Sequence, residues 1–252
     1  MSEKIDGDPA FVLHTRPWRE TSLIVDVLSR HHGRVALVAR GARRQASSLK
    51  TRLTPFQPLA LSWFGKSQLR TLHDAEWQGG GLMLRGHALM CGFYLNELLL
   101  RLLPEGDAHE GLFDLYAVTL AALNERADVE PVLRRFELDL LSELGYAQPL
   151  GHLADGGELE LARRYSFAIG HDARHGAGHG VVPLRRDENG YRGKTLLDLA
   201  SGDLSDPATL AEGKILMRTL LAHYLGDKPL ATRQLLIHLQ QLHLQPLDPQ
   251  KP

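Results

Sequence analysis

The sequence predicts an α+β fold: an all-β module at the N-terminus, followed by an all-α bundle domain with an irregular insertion. Three observations carry this reading. Short runs of β-branched or alternating residues recur through about the first eighty positions. From Leu82 the apolar period lengthens to that of a helix. Between about 147 and 194 the periodicity lapses into a stretch dense in Gly, His, Arg and Asp.

The β module is organised around one hairpin. Ser22–Ser29 is rich in β-branched residues, Arg30-His31-His32-Gly33 makes the turn, and Arg34–Arg40 returns. In the returning run Val35, Leu37 and Ala39 share one face, and Arg34, Ala36, Val38 and Arg40 the other. Ala10–Thr15 reads as a short strand ahead of the hairpin, with residues 1–9 as a loose tail. Arg43–Thr54 is too polar for a core strand and reads as a mobile basic loop. Pro55–Phe64 and Gln68–Trp77 are two more strands, joined around Gly65-Lys66. Short strands this close together suit a small closed barrel of the OB type, since an open sheet would leave its edges unpaired. Gly79-Gly80-Gly81 marks the boundary, giving a nucleic-acid-binding domain over 1–80 and a helical domain over 81–252.

In the second domain Ala88, Cys91, Leu95, Leu98 and Leu102 follow helical spacing, with Leu89, Leu99 and Leu103 widening the stripe. Pro104-Glu105-Gly106-Asp107 breaks that helix, and a second is expected from about His109 to Asn124. Asp128 is placed to cap a third, with Pro131 in its first turn and Gly145 at its stop. Its buried stripe is Leu133, Phe136, Leu140, Leu141 and Leu144. Within the insertion, Tyr165–Ile169 and Gly180–Leu184 read as two short strands. Helices resume at Thr195–Ala200, at about Pro207–Tyr224 and at about Thr232–Leu244.

Formal net charge is −1 overall, but residues 1–80 carry 12 Lys+Arg against 7 Asp+Glu and the remainder 17 against 23. A basic module for an anion is thus joined to an acidic one. The single cysteine, Cys91, permits neither an internal disulfide nor a cysteine-based zinc cluster, which fits a reducing cytoplasm. The polar, acidic N-terminus has no signal-peptide core, and the apolar Ala88–Leu103 stretch falls short of the ~20 residues of a membrane span. No phosphate-binding loop, nucleophile elbow or His-Glu-x-x-His motif is present, so no catalytic role and no cofactor are expected.

The candidate DNA-binding surface is Arg16, Arg19, Arg34, Arg40, Arg43, Arg44, Lys50, Arg52, Lys66 and Arg70, because a single strand needs cations spaced along its backbone. All three tryptophans fall in the same half. Trp18, between Arg16-Pro17 and Arg19, is placed either to stack on a base or to plug the barrel. On the third helix Arg135 stands four residues before Asp139, the spacing of an intrahelical ion pair. Beside it, Arg134 shares a face with Leu138 and Leu141, and the group could instead form a carboxylate-binding fork next to an apolar groove. His171, His175 and His179 have helical zinc-ligand spacing, but Gly176, Gly178 and Gly180 argue against a helix there, so no metal site is expected.

Phe11–Leu23, with its Arg16-Pro17-Trp18-Arg19-Glu20-Thr21-Ser22 core, then Gly33-Arg34-Val35 and Val38–Arg43, resembles the start of the bacterial DNA repair family RecO. Asn96-Glu97-Leu98-Leu99, Leu133–Glu137, Leu144-Gly145-Tyr146 and Tyr224-Leu225-Gly226 fit later parts of that family in order. The resemblance implies a cytoplasmic, nucleoid-associated recombination mediator. Such a protein binds single- and double-stranded DNA, anneals complementary strands and, with RecR, helps load RecA onto coated strands. It also implies that Arg134, Arg135, Leu138 and Leu141 receive the acidic C-terminal tail of single-stranded DNA-binding protein. Many members carry a cysteine-rich zinc motif in the insertion, which this chain, with no cysteine after Cys91, does not have. Two other classes fit the residues alone: an RNA- or tRNA-binding OB module with a helical oligomerisation domain, and a metal-dependent hydrolase built on the histidine loop.

Overall fold

A computed structural model describes residues 4–125, 128–170, 179–184, 190–226 and 228–244. Five strands, β1 (Lys4–Trp18), β2 (Ser22–Ser29), β3 (Gly33–Ala39), β4 (Pro58–Phe64) and β5 (Leu69–Trp77), close a barrel in the order β1-β2-β3-β5-β4. Neighbours are antiparallel except β3 and β5, which run parallel through Ala36–Leu69 and Val38–Thr71. A short helix, α1 (Leu49–Arg52), lies in the β3–β4 connection. This is an OB-fold barrel, as the strand pattern predicts.

Closure depends on β1. Its first part pairs with β4 from Lys4–Phe64 to Phe11–Pro58, and its second part pairs with β2 from Ala10–Ser29 to Trp18–Ser22. Register shifts between Ile5 and Asp8 and between Val12 and His14 bend the strand so that one segment serves two neighbours. The expected loose tail is therefore strand from Lys4 onward. Its composition is polar, but β4 supplies backbone partners that local sequence does not reveal.

The interior is filled by Val12, Val25, Val27, Val35, Leu37, Leu61, Leu72 and, as the largest plug, Trp63. Ala42, Leu53 and Leu49 close one end, so the expected mobile basic loop is anchored through apolar side chains and contains α1. At the other end Asp8 is buried, accepting from the Ser29 hydroxyl and lying 2.5 Å from His31 Nδ1. His32 meets the Trp63 ring edge-on, with centroids 5.2 Å apart.

Seven helices are present in all among the described residues. Those following the barrel are α2 (Gly86–Leu102), α3 (Glu110–Asn124), α4 (Val129–Glu143), α5 (Gly193–Ser201), α6 (Pro207–Leu225) and α7 (Ala231–Leu244). Three further strands, β6 (Arg164–Ala168), β7 (Gly180–Pro183) and β8 (Tyr191–Arg192), form a sheet in the order β7-β6-β8. The chain divides into two compact units, Asp114–Gly226 and the remainder.

In the barrel-containing unit α2 covers β1. Asn96 Nδ2 donates to the Leu13 carbonyl at 2.8 Å, and the Phe11 ring packs tilted against Phe113 with centroids 5.2 Å apart. Gly92 is required by close approach, since a Cβ there would lie 2.9 Å from Phe56 and 2.8 Å from Leu84. Gly33 is required twice over: its φ is +64°, and a Cβ would fall 1.8 Å from the Asp107 carbonyl oxygen. The Glu97 carboxylate caps α7, accepting from the backbone of Ala231 at 2.7 Å and of Thr232 at 2.9 Å.

In the other unit Asp128 caps α4 as the sequence predicts, accepting from the Glu130 amide. Glu212 on α6 gathers the β8–α5 junction: it accepts from the Arg192 amide at 2.9 Å and the Thr195 hydroxyl at 2.8 Å, and pairs with Arg164 at 3.2 Å. Burial alone would raise its pKa. The hydrogen bonds and the two arginines outweigh that and hold the carboxyl below its usual range.

Two outcomes follow from these contacts. Gly33→Val should destabilise the protein by about 2 kcal/mol or more, measured by urea unfolding, because backbone strain and a backbone collision coincide. Glu212, ionised more readily folded than unfolded, contributes stability that is present above the unfolded glutamate pKa and lost as pH falls through the folded one. Glu212→Gln should therefore flatten the acid limb of a thermal-melt series across that range while lowering the melting temperature at neutral pH.

Candidate nucleic-acid interface

Strand directions decide which basic residues meet. The C-terminal ends of β1, β3 and β5 and the N-terminal ends of β2 and β4 share one end of the barrel. Arg16, Trp18 and Arg19 lie there at the end of β1, and Arg40 follows β3. Arg43, Arg44, Lys50 and Arg52 lie in the connection through α1. These eight form one group. Arg34 and Lys66 sit at the opposite end, at the start of β3 and in the β4–β5 turn, and Arg70 pairs with Leu37 in mid-strand.

Within the group, some side chains build the site and others are left to act. Arg43 donates through one guanidinium nitrogen to the carbonyls of Arg19 at 3.2 Å and Glu20 at 3.1 Å, and its amide donates to Thr21. The loop after β3 is thus sewn to the β1–β2 turn, where Arg19 adopts φ +51°. Arg19 in turn covers the Trp18 ring at 6.0 Å, a cation–π contact. Arg52 donates to the Ala75 carbonyl at 3.0 Å and lies 3.6 Å from Asp74, fixing α1 to β5. Arg16, Arg40, Arg44 and Lys50 are exposed, and their side chains have no hydrogen-bond or ion-pair partner among the described residues. Their charge is therefore available to an external anion.

Trp18 is 38 % exposed and Trp63 only 1 %, so the barrel plug is Trp63 and Trp18 stands at the surface with the cations. Arg34 is a structural residue: its Nε donates to the Leu103 carbonyl at the end of α2, at 2.9 Å. Trp77, 59 % exposed at the end of β5, was not singled out by its neighbours in sequence. Only the pairing of β5 with β4 shows that it emerges near α1, beside Thr51, Arg52, Thr54 and Gln57.

On α4 the four expected partner-binding residues do not reach a common surface. Arg134 is 5 % exposed and bonded to Glu137 at 2.5 Å, a buried pair one turn apart. Leu141 is buried in the core and Leu138 half-buried. Arg135 alone is exposed, and instead of pairing with Asp139 it donates to the Gly202 carbonyl at 2.6 Å. Helical period explains this, since Arg134 lies three residues before Glu137 and seven before Leu141, on the same inward face, and Arg135 is turned away from it. Of the histidine loop, His171 and His175 lie outside the described residues. His179 has both ring nitrogens engaged, one accepting from the Gly170 amide and the other 3.0 Å from Gln148 Oε1. Burial and the nearby His223 lower its pKa, in keeping with a neutral ring.

A five-stranded OB barrel carrying a cationic, tryptophan-bearing end defines a nucleic-acid-binding class of protein. The family model described as recombination protein O N terminal matches residues 1–80, and that described as recombination protein O C terminal matches residues 83–234. The chain belongs to the RecO family. It is 51 % identical over 241 residues to a DNA repair protein RecO of Nitrosospira multiformis, covering 95 % of this chain and 98 % of that one. Similar matches are to the DNA repair protein RecO of Thiobacillus denitrificans, 51 % identical over 249 residues (95 % of this chain, 94 % of that one), and of Aromatoleum aromaticum, 50 % over 246 (96 % and 99 %).

The division between building and acting cations is testable by stability. Arg34→Ala should lose about 2 kcal/mol, for a charged donor is removed from a half-buried carbonyl. Arg40→Ala should stay within about 0.5 kcal/mol of the parent. Urea titrations of both variants give the comparison.

Proposed function

We propose that the chain acts in DNA repair and recombination as a mediator that binds single- and double-stranded DNA at the Trp18 end of its barrel and anneals complementary strands. The observation that carries this reading is the gathering of Arg16, Arg40, Arg44 and Lys50, all exposed and without acidic partners, beside an exposed tryptophan. The mechanism is electrostatic. Two polyanionic strands repel at short range, and a cationic surface that displaces their counterions lets them lie close. Base pairing then supplies the driving force, with no covalent step. Membership of the RecO family supports the wider role, in which the protein works with RecR to help load RecA onto strands coated by single-stranded DNA-binding protein. The acidic tail of that protein is the proposed ligand of the helical domain, and Arg135 is the α4 cation that reaches solvent.

Reversing Arg16, Arg40 and Arg44 to Glu together should abolish annealing of complementary oligonucleotides while leaving the circular-dichroism spectrum and melting temperature unchanged. For single-stranded DNA the slope of log affinity against log salt should shrink by about 2, from three lost phosphate contacts. Unaltered annealing with an unaltered slope would remove this surface from the mechanism.

A further inference from the structure

We infer that Trp77 and the depression beside it form a second nucleobase-stacking site, which takes one unpaired base of a single strand on the α1 side of the barrel. The inference rests on the DNA-binding reading above and adds a contact that the Trp18 cluster does not contain. The depression has a volume of about 320 Å³ and is lined by Thr51, Arg52, Thr54, Gln57 and Trp77. That size falls in the range of small-molecule sites.

Its walls are held in place from within. Arg52 is fixed by the Ala75 carbonyl and Asp74, and Gln57 Nε2 donates to the Leu82 carbonyl at 2.7 Å. Thr51 donates its hydroxyl proton to the Ser48 carbonyl, which leaves that oxygen able to accept. Gln57 Oε1 has no partner among the described residues and offers a second acceptor. The Trp77 ring edge lies 3.5 Å from where a Cβ on Gly81 would stand, and Gly79 and Gly80 put no side chain near it. A flat aromatic surface therefore meets hydrogen-bonding groups in a fixed frame.

Charge names the ligand. Lys50 is exposed and unpaired on the same turn as Thr51, and Arg52 keeps guanidinium nitrogens beyond the one spent on Ala75. An aromatic face flanked by cations suits a base carried on its own phosphate backbone. A base inside a duplex is already stacked on both faces, so the site selects unpaired strands. It lies at the same barrel end as Trp18 and Arg40, so a strand crossing the Arg43–Arg44 segment runs from one tryptophan towards the other.

The test compares three labelled ligands of equal length by fluorescence anisotropy at one salt concentration: an oligo-dT strand, an abasic strand and a duplex. Trp77→Ala should weaken oligo-dT binding about 10-fold and leave the abasic strand and the duplex within about 2-fold. Trp77→Phe should recover most of the loss. In a Trp18→Phe protein, which keeps only Trp63 and Trp77, oligo-dT should quench the emission of the exposed ring, and this readout does not depend on the alanine variant folding. Equal losses on all three ligands, or an undiminished oligo-dT affinity together with no quenching, would overturn the stacking site while leaving the cationic surface standing. A parent protein that binds none of the three would overturn the DNA-binding reading itself.

Discussion

The bent pairing of β1 with two neighbours is the constraint on which the rest of the structure depends. A fifteen-residue strand that joins β4 by its first part and β2 by its second leaves the sheet no free edge in that direction. Its far end must then project past the barrel wall, carrying Arg16, Trp18 and Arg19 with it. The same closure confines Trp63 to the interior, where its indole takes the volume that a smaller plug would leave empty. Position around the barrel, more than residue type, separates the buried tryptophan from the two exposed ones.

The cationic end illustrates how a protein builds a charged surface without destabilising itself. Seven positive side chains in one region repel one another and lose hydration where they crowd. Arg43 meets this by donating to main-chain carbonyls, which accept without neutralising the guanidinium, and Arg52 by donating to the Ala75 carbonyl while Asp74, 3.6 Å away, offsets part of its charge. The frame is therefore held with little loss of positive charge, Arg43 having no acidic partner among the described residues. Arg16, Arg40, Arg44 and Lys50 project from that frame with side-chain charges that no described residue pairs. A family of DNA repair proteins is consistent with this arrangement, since binding that must be reversible is best carried by contacts tuned by salt and not by deep shape complementarity.

Much of this was legible in the sequence, for identifiable reasons. The β3 alternation of Val35, Leu37 and Ala39 against Arg34, Val38 and Arg40 reports a half-buried strand directly, and burial follows it residue by residue. The Asp128 cap, the Pro131 first turn and the Gly145 stop place α4 almost to the residue. What could not be read depends on long-range partners. Lys4–Asp8 looks like a tail until β4 is beside it, and Tyr191–Arg192 looks like loop until β6 pairs with it. Arg134 looks like half of a fork until Glu137 is seen to claim it inside the core. Arg34 and Arg40 are indistinguishable by pattern, both on the outer face, and only the end of α2 makes one a brace and leaves the other free.

The capping of α7 by Glu97 has a bearing on how the molecule comes into being. The carboxylate sits on α2, early in the chain, whereas the amides it receives belong to Ala231 and Thr232, and the whole Asp114–Gly226 unit is encoded between them. On the ribosome the barrel and α2 emerge first, and for the time needed to translate more than a hundred further codons Glu97 has only water to bond. Docking of the helix on Glu97 therefore follows synthesis of the whole Asp114–Gly226 unit, and a nascent chain stalled before Ala231 carries a barrel with an unfinished flank.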